Sequence, residues 1–392
     1  MSIIFDEQSI KCAIYLQYVD GIIHPRTVRG RYGQAKRGGR MTVSLNRRKF
    51  LTLTAAGVAV GPFVHTSRAR AARELVVVSW GGSYQDAQRA AHFAPFTAET
   101  GINIVEISEG PRVAKLKTQI DSGSLEWDVM DFETSDMLSA GSMDLLEPID
   151  TSVVDTSTIL PDAVDEFGIA NVSWSKLLGF NTAKYPNGEG APTGWADFWN
   201  VEAFPGRRAL QDLVKPNLEF ALIADGVSLN ELYPLDVERA FAALDRIRPH
   251  VDVWWGKTAQ GIQILANGEV DMGTAPNGRL EAAKRDGQNV GYTWNDGAVD
   301  FDWWCVAKGA PNRDLAMEFI NFAIAAEGQA KLASIIDYGP SNTEAWLLID
   351  PERAATLPTA PDNLKAQFVL GNSWWQDNEA DMLRRWQMWK LG

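Results

Sequence analysis

The sequence predicts an α/β protein whose parallel strands are covered by helices, and three observations carry that prediction. The first is the stretch Leu75 to Tyr84, LVVVSWGGSY, where a short aliphatic and β-branched run stops at two adjacent glycines. The second is that strand, loop and helix then recur in the same order through residue 135. The third is a second alternating region after a Pro/Gly-rich connection, beginning near Asn217.

Leu75, Val76, Val77 and Val78 suit a strand buried on both faces. Gly81 and Gly82 let the backbone turn sharply, and Ala87, Ala90, Ala91 and Ala94 recur at helical spacing behind them. Loops at the carboxyl ends of parallel strands are where open α/β sheets bind ligands. A plain strand-to-helix turn with a surface Trp explains the local sequence equally well. Ile102 to Ile107 reads as a second strand followed by a helix through PRVAKLKTQIDSG, and Trp127 to Phe132 as a third ending in Glu133-Thr134-Ser135. Sequential strands with intervening helices imply a parallel sheet. After SKLLGFN (residues 175–181) the span YPNGEGAPTGWADF marks a connection. Beyond it, Asn217 to Ala224 and Val237 to Ile247 are helical by period, and Val251 to Trp255 is a strand. A helix over Gln260 to Asn267, a strand over Val270 to Thr274 and a helix after Asn277-Gly278 follow. Val290 to Trp294 and Phe301 to Ala307 read as two extended segments, and the tail from Asn363 to Leu391 as helical and Trp-rich.

A chain of 392 residues has room for about two domains. Its net charge of −13 conceals an asymmetry. Residues 1–71 hold twelve Lys/Arg and three Asp/Glu, which leaves residues 72–392 with 25 basic and 47 acidic groups, a balance of −22. That argues against nucleic acid or an anionic membrane as a partner, since both require a basic face. The two cysteines, Cys12 and Cys305, cannot form a disulfide framework or a zinc site.

Residues 1–40 are basic and rich in Gly and Arg, and read as an extension ahead of a start at Met41. Asn46-Arg47-Arg48-Lys49-Phe50-Leu51 resembles the twin-arginine export signal. The uncharged run from Phe50 to Val64 has signal-peptide length, and Ala69-Arg70-Ala71 supplies a cleavage site, so that 41–71 is an export leader. The expected destination is the periplasm, where an unpaired Cys305 must be buried or inert.

SWGGSY, AKLKTQIDSG, WDVMDFETSD, LLEPID, GWADFWN, NGEVDMG, APNGR, FDWWCVAKGAPN, AMEFINFA and IDYGPSN follow one another over nearly the whole mature chain. This ordered set resembles the extracellular solute-binding proteins of ABC importers, in the spermidine/putrescine-binding branch. The resemblance implies a type II periplasmic-binding fold: two α/β lobes that close on a ligand held between them. Lobe one would comprise 73–177 and 300–345, and lobe two 178–299 and 346–392. It further implies a monomer that captures a small cationic or amino solute and delivers it to an ABC permease in the inner membrane. No cofactor is implied.

A polyamine needs carboxylates for its ammonium ends, because a desolvated ammonium without partners is costly. Flat rings suit its methylene stem and add cation–π attraction of about 0.5–2 kcal/mol each. By the resemblance, Trp80 and Tyr84 are first-strand aromatics of the cleft, Glu133 and Ser135 end the third strand, and Glu219 starts a lobe-two helix that carries acidic ligands. Asp302 and Trp303 fall where the family crosses between lobes, Tyr338 and Trp375 match late contacts, and Trp254 is an aromatic candidate from lobe two.

Other readings compete. Trp195 and Trp199 fit the core better than a ligand wall, and Glu219 could be a solvated helix charge. Trp303 and Trp304 alternate faces in a strand, so only one can face the cleft, and Asp302 goes with Trp304. Where polyamine binders have Trp before Asn-Gly, this chain has Pro276, and the amine-gripping Asp aligns with Trp303 rather than Asp302. These departures leave room for a related solute such as a γ-amino acid; a sugar is a further alternative, because carbohydrate sites also use Trp platforms. An enzyme has little support, for G-x-S-x-G, H-E-x-x-H, a P-loop and C-x-x-C are all absent. The adjacent tyrosines of a ferric-ion binder are also missing.

Overall fold

The computed structural model describes residues 73–186 and 190–391. The extension 1–40 and the twin-arginine leader 41–71 expected from the sequence lie outside the described residues.

The chain opens with β1 (Glu74–Ser79), in which Leu75, Val77 and Val78 are wholly buried. Helix α1 (Gly82–Gln88) continues through a π-helical turn, Arg89–Phe93, into Ala94–Thr100. Then come β2 (Asn103–Ser108), α2 (Val113–Ser122), β3 (Val129–Glu133) and α3 (Thr134–Ser142). The chain next enters a long strand, β4 (Gly168–Asn181), which carries it away from this first half. The second half holds β5 (Arg208–Gln211), α4 (Asn217–Ala224), α5 (Val237–Ile247), β6 (Val251–Trp255), β7 (Met272–Pro276) and α6 (Asn277–Arg285). An 18-residue strand, β8 (Val290–Ala307), returns to the first half, where α7 (Arg313–Ala323) and α8 (Ala326–Ile335) pack. Short β9 (Phe368–Val369) and the terminal α9 (Asn372–Leu391) complete the order.

These strands belong to one eleven-stranded sheet with the path β2-β1-β3-β8-β4-β7-β5-β6. β1 pairs in parallel with β2 and β3, and β5 in parallel with β6 and β7. Between these parallel halves, β4 and β8 run antiparallel to each other and to β7 and β3 respectively, while short β9 joins β8 in parallel. The sequence reading of Val290–Trp294 and Phe301–Ala307 as two segments is thereby corrected. The polar stretch Asn295–Gly297 interrupts the apolar pattern but stays in one strand, with a register shift between Thr293 and Ala298.

Packing follows the two halves. Phe93, Phe96, Trp127, Phe132, Trp304 and Phe319 centre one buried apolar cluster. Phe180, Trp195, Phe198, Phe220, Leu244 and Met272 centre another, to which α9 adds Trp375 and Trp386. Both crossing strands serve both clusters: Ile169 and Ala170 of β4 lie in the first and Leu178 and Phe180 in the second. Helix α5 shows how sequence produces this packing. Asp236 caps it by accepting from the Arg239 amide, and Ala240, Phe241, Ala243, Leu244 and Ile247 form its buried stripe. Among the described residues no helix is long and apolar enough to cross a membrane.

Candidate functional site

The carboxyl ends of β1 and β3 in one half and of β5 and β7 in the other face a shared cavity of about 520 Å3. One wall is the turn after β1. Gly81 there has φ 74°, a conformation that disfavours side chains, and a Cβ would approach the Ser108 side chain to 3.3 Å. The turn presents Trp80 to the cavity, and the first turn of α1 presents Tyr84. The Trp80 ring lies against Gly110, with the Arg112 guanidinium 5.0 Å from its centroid. The Tyr84 ring meets Tyr338 edge-on at 5.6 Å, and its hydroxyl accepts from Asn171 at 3.1 Å.

The floor comes from the crossing strands. Trp174 and Lys176 alternate on one face of β4, and Asp302 of β8 accepts the Trp174 indole N–H at 3.2 Å. Burial pushes the Asp302 carboxyl well above the usual carboxylate range, and the charges of Asp131 and Glu133 push the same way. Asp131, wholly buried beneath the site, accepts from Gln88 at 2.8 Å and Ser79 at 3.1 Å, and burial raises its pKa to about 7. Glu133 sits at the cavity mouth with its pKa raised, by desolvation first and then by Asp300 and Asp136.

Two basic groups complete the lining. Lys176 donates to Gln211, and burial lowers its pKa to about 8 against the pull of Asp300 and Glu133. Arg279 projects from the first turn of α6, beside Pro276. Among the described residues Arg279 makes no hydrogen bond or ion pair, and neither Glu133 nor Asp302 has an ion-pair partner. One cavity thus holds unpaired charges of both signs together with four aromatic side chains.

The family of bacterial extracellular solute-binding proteins matches residues 91–359 of the chain. The chain belongs to that family. It is 36% identical over 323 residues to a γ-aminobutyric acid-binding protein of Pseudomonas aeruginosa, covering 81% of this chain and 91% of that one. It is 27% identical over 293 residues to the spermidine/putrescine-binding periplasmic protein of Escherichia coli, with 72% and 82% covered. Among solved structures, an ABC transporter substrate-binding protein from Bradyrhizobium japonicum shares 39% identity at a TM-score of 0.76, covering 81% of this chain and 99% of that one. The fold is accordingly the two-lobed periplasmic-binding fold with its cleft between the lobes. The protein is the substrate-binding component of an ABC transporter; proteins of this kind bind small solutes and deliver them to a permease, and they are not enzymes.

In this solute-binding protein the cavity brings together Trp80, Tyr84, Glu133, Asp302 and Tyr338 of the expected site. Ser135 lies one step further, on an adjoining chamber. The other four expected residues are placed elsewhere. Trp303 is 3% exposed and donates its indole N–H to Thr134 at 2.7 Å. Pairing with β4 skips Asn171 between Asp302 and Trp303, and neither Trp303 nor Trp304 lines the cavity. Glu219 is fully buried, accepting from Tyr233 and Trp375 at 2.6 Å each, so that it and Trp375 form a polar link inside the second apolar cluster. Trp254 packs edge-on against Trp386 and Trp389, with Lys390 Nζ 4.3 Å from its ring centroid. Trp174, Lys176, Gln211 and Arg279 were missed. Trp174-Ser175-Lys176 alternates in a way that a strand reading would have put on one face, and Arg279 follows a strand end directly.

Proposed function

We propose that the cleft takes a small amino acid whose amine and carboxylate are well separated, a γ-amino acid of the 4-aminobutanoate kind. One observation carries this reading: the carboxylates Glu133 and Asp302 share a cavity with the guanidinium of Arg279, and among the described residues none of the three has an ion-pair partner. The ammonium is held by Asp302 and Glu133 among the rings of Trp80, Tyr84, Trp174 and Tyr338, where charge-assisted hydrogen bonds and cation–π attraction add. The carboxylate is held by Arg279 and Lys176. Because these groups come from both lobes, the ligand makes its full set of contacts only when the lobes close, and so shifts the population toward closure. The γ-aminobutyric acid-binding relative supports the same ligand class. The leader 41–71 supports twin-arginine export to the periplasm, where the protein works as a monomer beside an inner-membrane permease.

A polyamine is the second reading. It is favoured by the three acidic side chains Asp131, Glu133 and Asp302 and by the spermidine/putrescine-binding relative. A dication would, however, place its far ammonium toward Lys176 or Arg279, at a like-charge cost. Isothermal titration of the purified protein with 4-aminobutanoate, putrescine, spermidine and maltose decides between them. The expected result is micromolar binding of 4-aminobutanoate, with the diamines roughly tenfold weaker or worse. Preference for a diamine or for the sugar overturns the γ-amino acid reading.

A further inference from the structure

A side chamber of about 160 Å3 opens from the cleft and shares Glu133, Trp174, Lys176 and Leu213 with it. Beyond this shared wall its lining divides between apolar Val214, Pro216, Leu370 and Leu383 and polar Ser135, Lys215, Asp300 and Glu379. Leu213 and Leu383 are 42% and 39% exposed. Isolated exposed leucines are ordinary, but these two line one chamber that continues a ligand cleft. At its polar end Lys215 donates to Asn372 at 2.8 Å and lies 3.6 Å from Asp300. An ammonium has three donors, and these partners leave one for a further acceptor.

We infer that the side chamber receives a second arm of the solute, an alkyl chain borne on the amine nitrogen and ending in a hydrogen-bond acceptor. The point of branching follows from Glu133, whose unpaired carboxylate lines both cavities. An atom held there is the amine, so a substituent entering the chamber leaves from nitrogen. A secondary amine keeps its positive charge and at least one N–H for Asp302, so the arm is added without losing the contacts already proposed. The substrate class is thereby narrowed to N-substituted γ-amino acids, with Leu213, Leu383 and Lys215 setting the preference. This inference rests on the γ-amino acid reading above.

Titration with 4-aminobutanoate, 4-(butylamino)butanoate and 4,4′-iminodibutanoate tests both levels separately. Covering several methylenes in the chamber should make both N-substituted compounds bind roughly tenfold tighter or more than the parent. The Leu383→Trp protein, filled on the chamber side alone, should lose that gain while binding 4-aminobutanoate as before. Equal or weaker binding of the substituted compounds, with 4-aminobutanoate still bound, overturns the side-chamber assignment and leaves the γ-amino acid reading standing. A gain that survives in a folded Leu383→Trp protein overturns it as well. Should that variant unfold, the ligand series on the unaltered protein still decides. Failure of all three to bind overturns the underlying reading and this inference with it.

Discussion

Trp174 on one crossing strand donates its indole N–H to Asp302 on the other, at 3.2 Å, within the cavity. The contact fixes an aromatic plane beside a carboxylate at the place where the chain passes between lobes. Among the described residues Asp302 has no ion-pair partner to offset its burial, and the charges of Asp131 and Glu133 oppose its ionisation. A ligand ammonium would reverse that balance, favouring the ionised form and receiving a charge-assisted hydrogen bond in return.

Asp302→Asn should therefore weaken amine binding without unfolding the protein. Losing a hydrogen bond to a charged group costs about 1.5–3 kcal/mol, roughly 10- to 150-fold in Kd. Removing a carboxyl whose ionisation is opposed by burial should leave the melting temperature unchanged or raised. Titration and thermal unfolding of the same preparation check both halves, and an unchanged Kd removes Asp302 from the site.

Arg279→Met separates the two ligand classes. Loss of the guanidinium should weaken 4-aminobutanoate roughly tenfold or more, while putrescine, freed of a like charge, should bind as well or better. Parallel loss for both ligands would mean that Arg279 shapes the cleft rather than recognising a carboxylate.

Much of this arrangement was legible before the structure. The strand–glycine–helix unit at Leu75–Tyr84, the helices over 217–224 and 237–247 and the strand over 251–255 follow from period and turn chemistry, which are local properties. The crossing strands were harder to see. β8 spans polar Asn295 and Asp296, so its apolar alternation breaks and reads as two pieces. The site residues divide on the same ground. Trp80 and Tyr84 occupy a local strand-end turn, whereas Glu219 and Trp375 are 156 residues apart and meet only in the folded core. A helix charge of that kind looks the same in sequence whether it faces solvent, a ligand or a buried indole. Trp254 misleads likewise, because its partners Trp386 and Trp389 lie on the terminal helix.

Lys176 gives the site a pH dependence with opposite signs for stability and binding. Its pKa falls from the ordinary 10.5 to about 8, chiefly through burial. Between those values the unfolded chain holds a proton that the folded chain has lost, so this group's contribution to stability rises with pH across that window. Carboxylate binding needs the charged lysine, and should weaken as pH rises through 8. Titrations with 4-aminobutanoate at pH 7 and pH 9, repeated on Lys176→Met, check this. An equal decline in the variant assigns the dependence to another group.

Glu219 should matter for stability and not for affinity. Its carboxylate holds the Tyr233 hydroxyl and the Trp375 indole together inside the second apolar cluster, and burial raises its pKa. Glu219→Ala leaves two buried donors unpaired and a cavity beside them, at a cost of about 2–4 kcal/mol. Denaturant unfolding should show that loss, while Kd in the remaining folded protein stays the same. A large Kd change at unaltered stability would return Glu219 to the ligand.

His92 predicts the acid limb of stability. It is fully buried in the π-helical turn, and among the described residues neither ring nitrogen has a hydrogen-bond partner. Burial, helped by the charge of Lys331, lowers its pKa from 6.5 to about 3. From pH 6.5 down to 3 the unfolded chain therefore binds a proton that the folded chain excludes, and stability falls as the solution is acidified. The full contribution is present above pH 6.5, and the loss amounts to at most about 1.4 kcal/mol per pH unit within the window. His92→Leu keeps an apolar side chain in the site but cannot take up a proton. Urea midpoints at pH 7 and pH 4.5 should differ less in that variant than in the unaltered protein; an identical difference would place the acid sensitivity on the carboxylates instead.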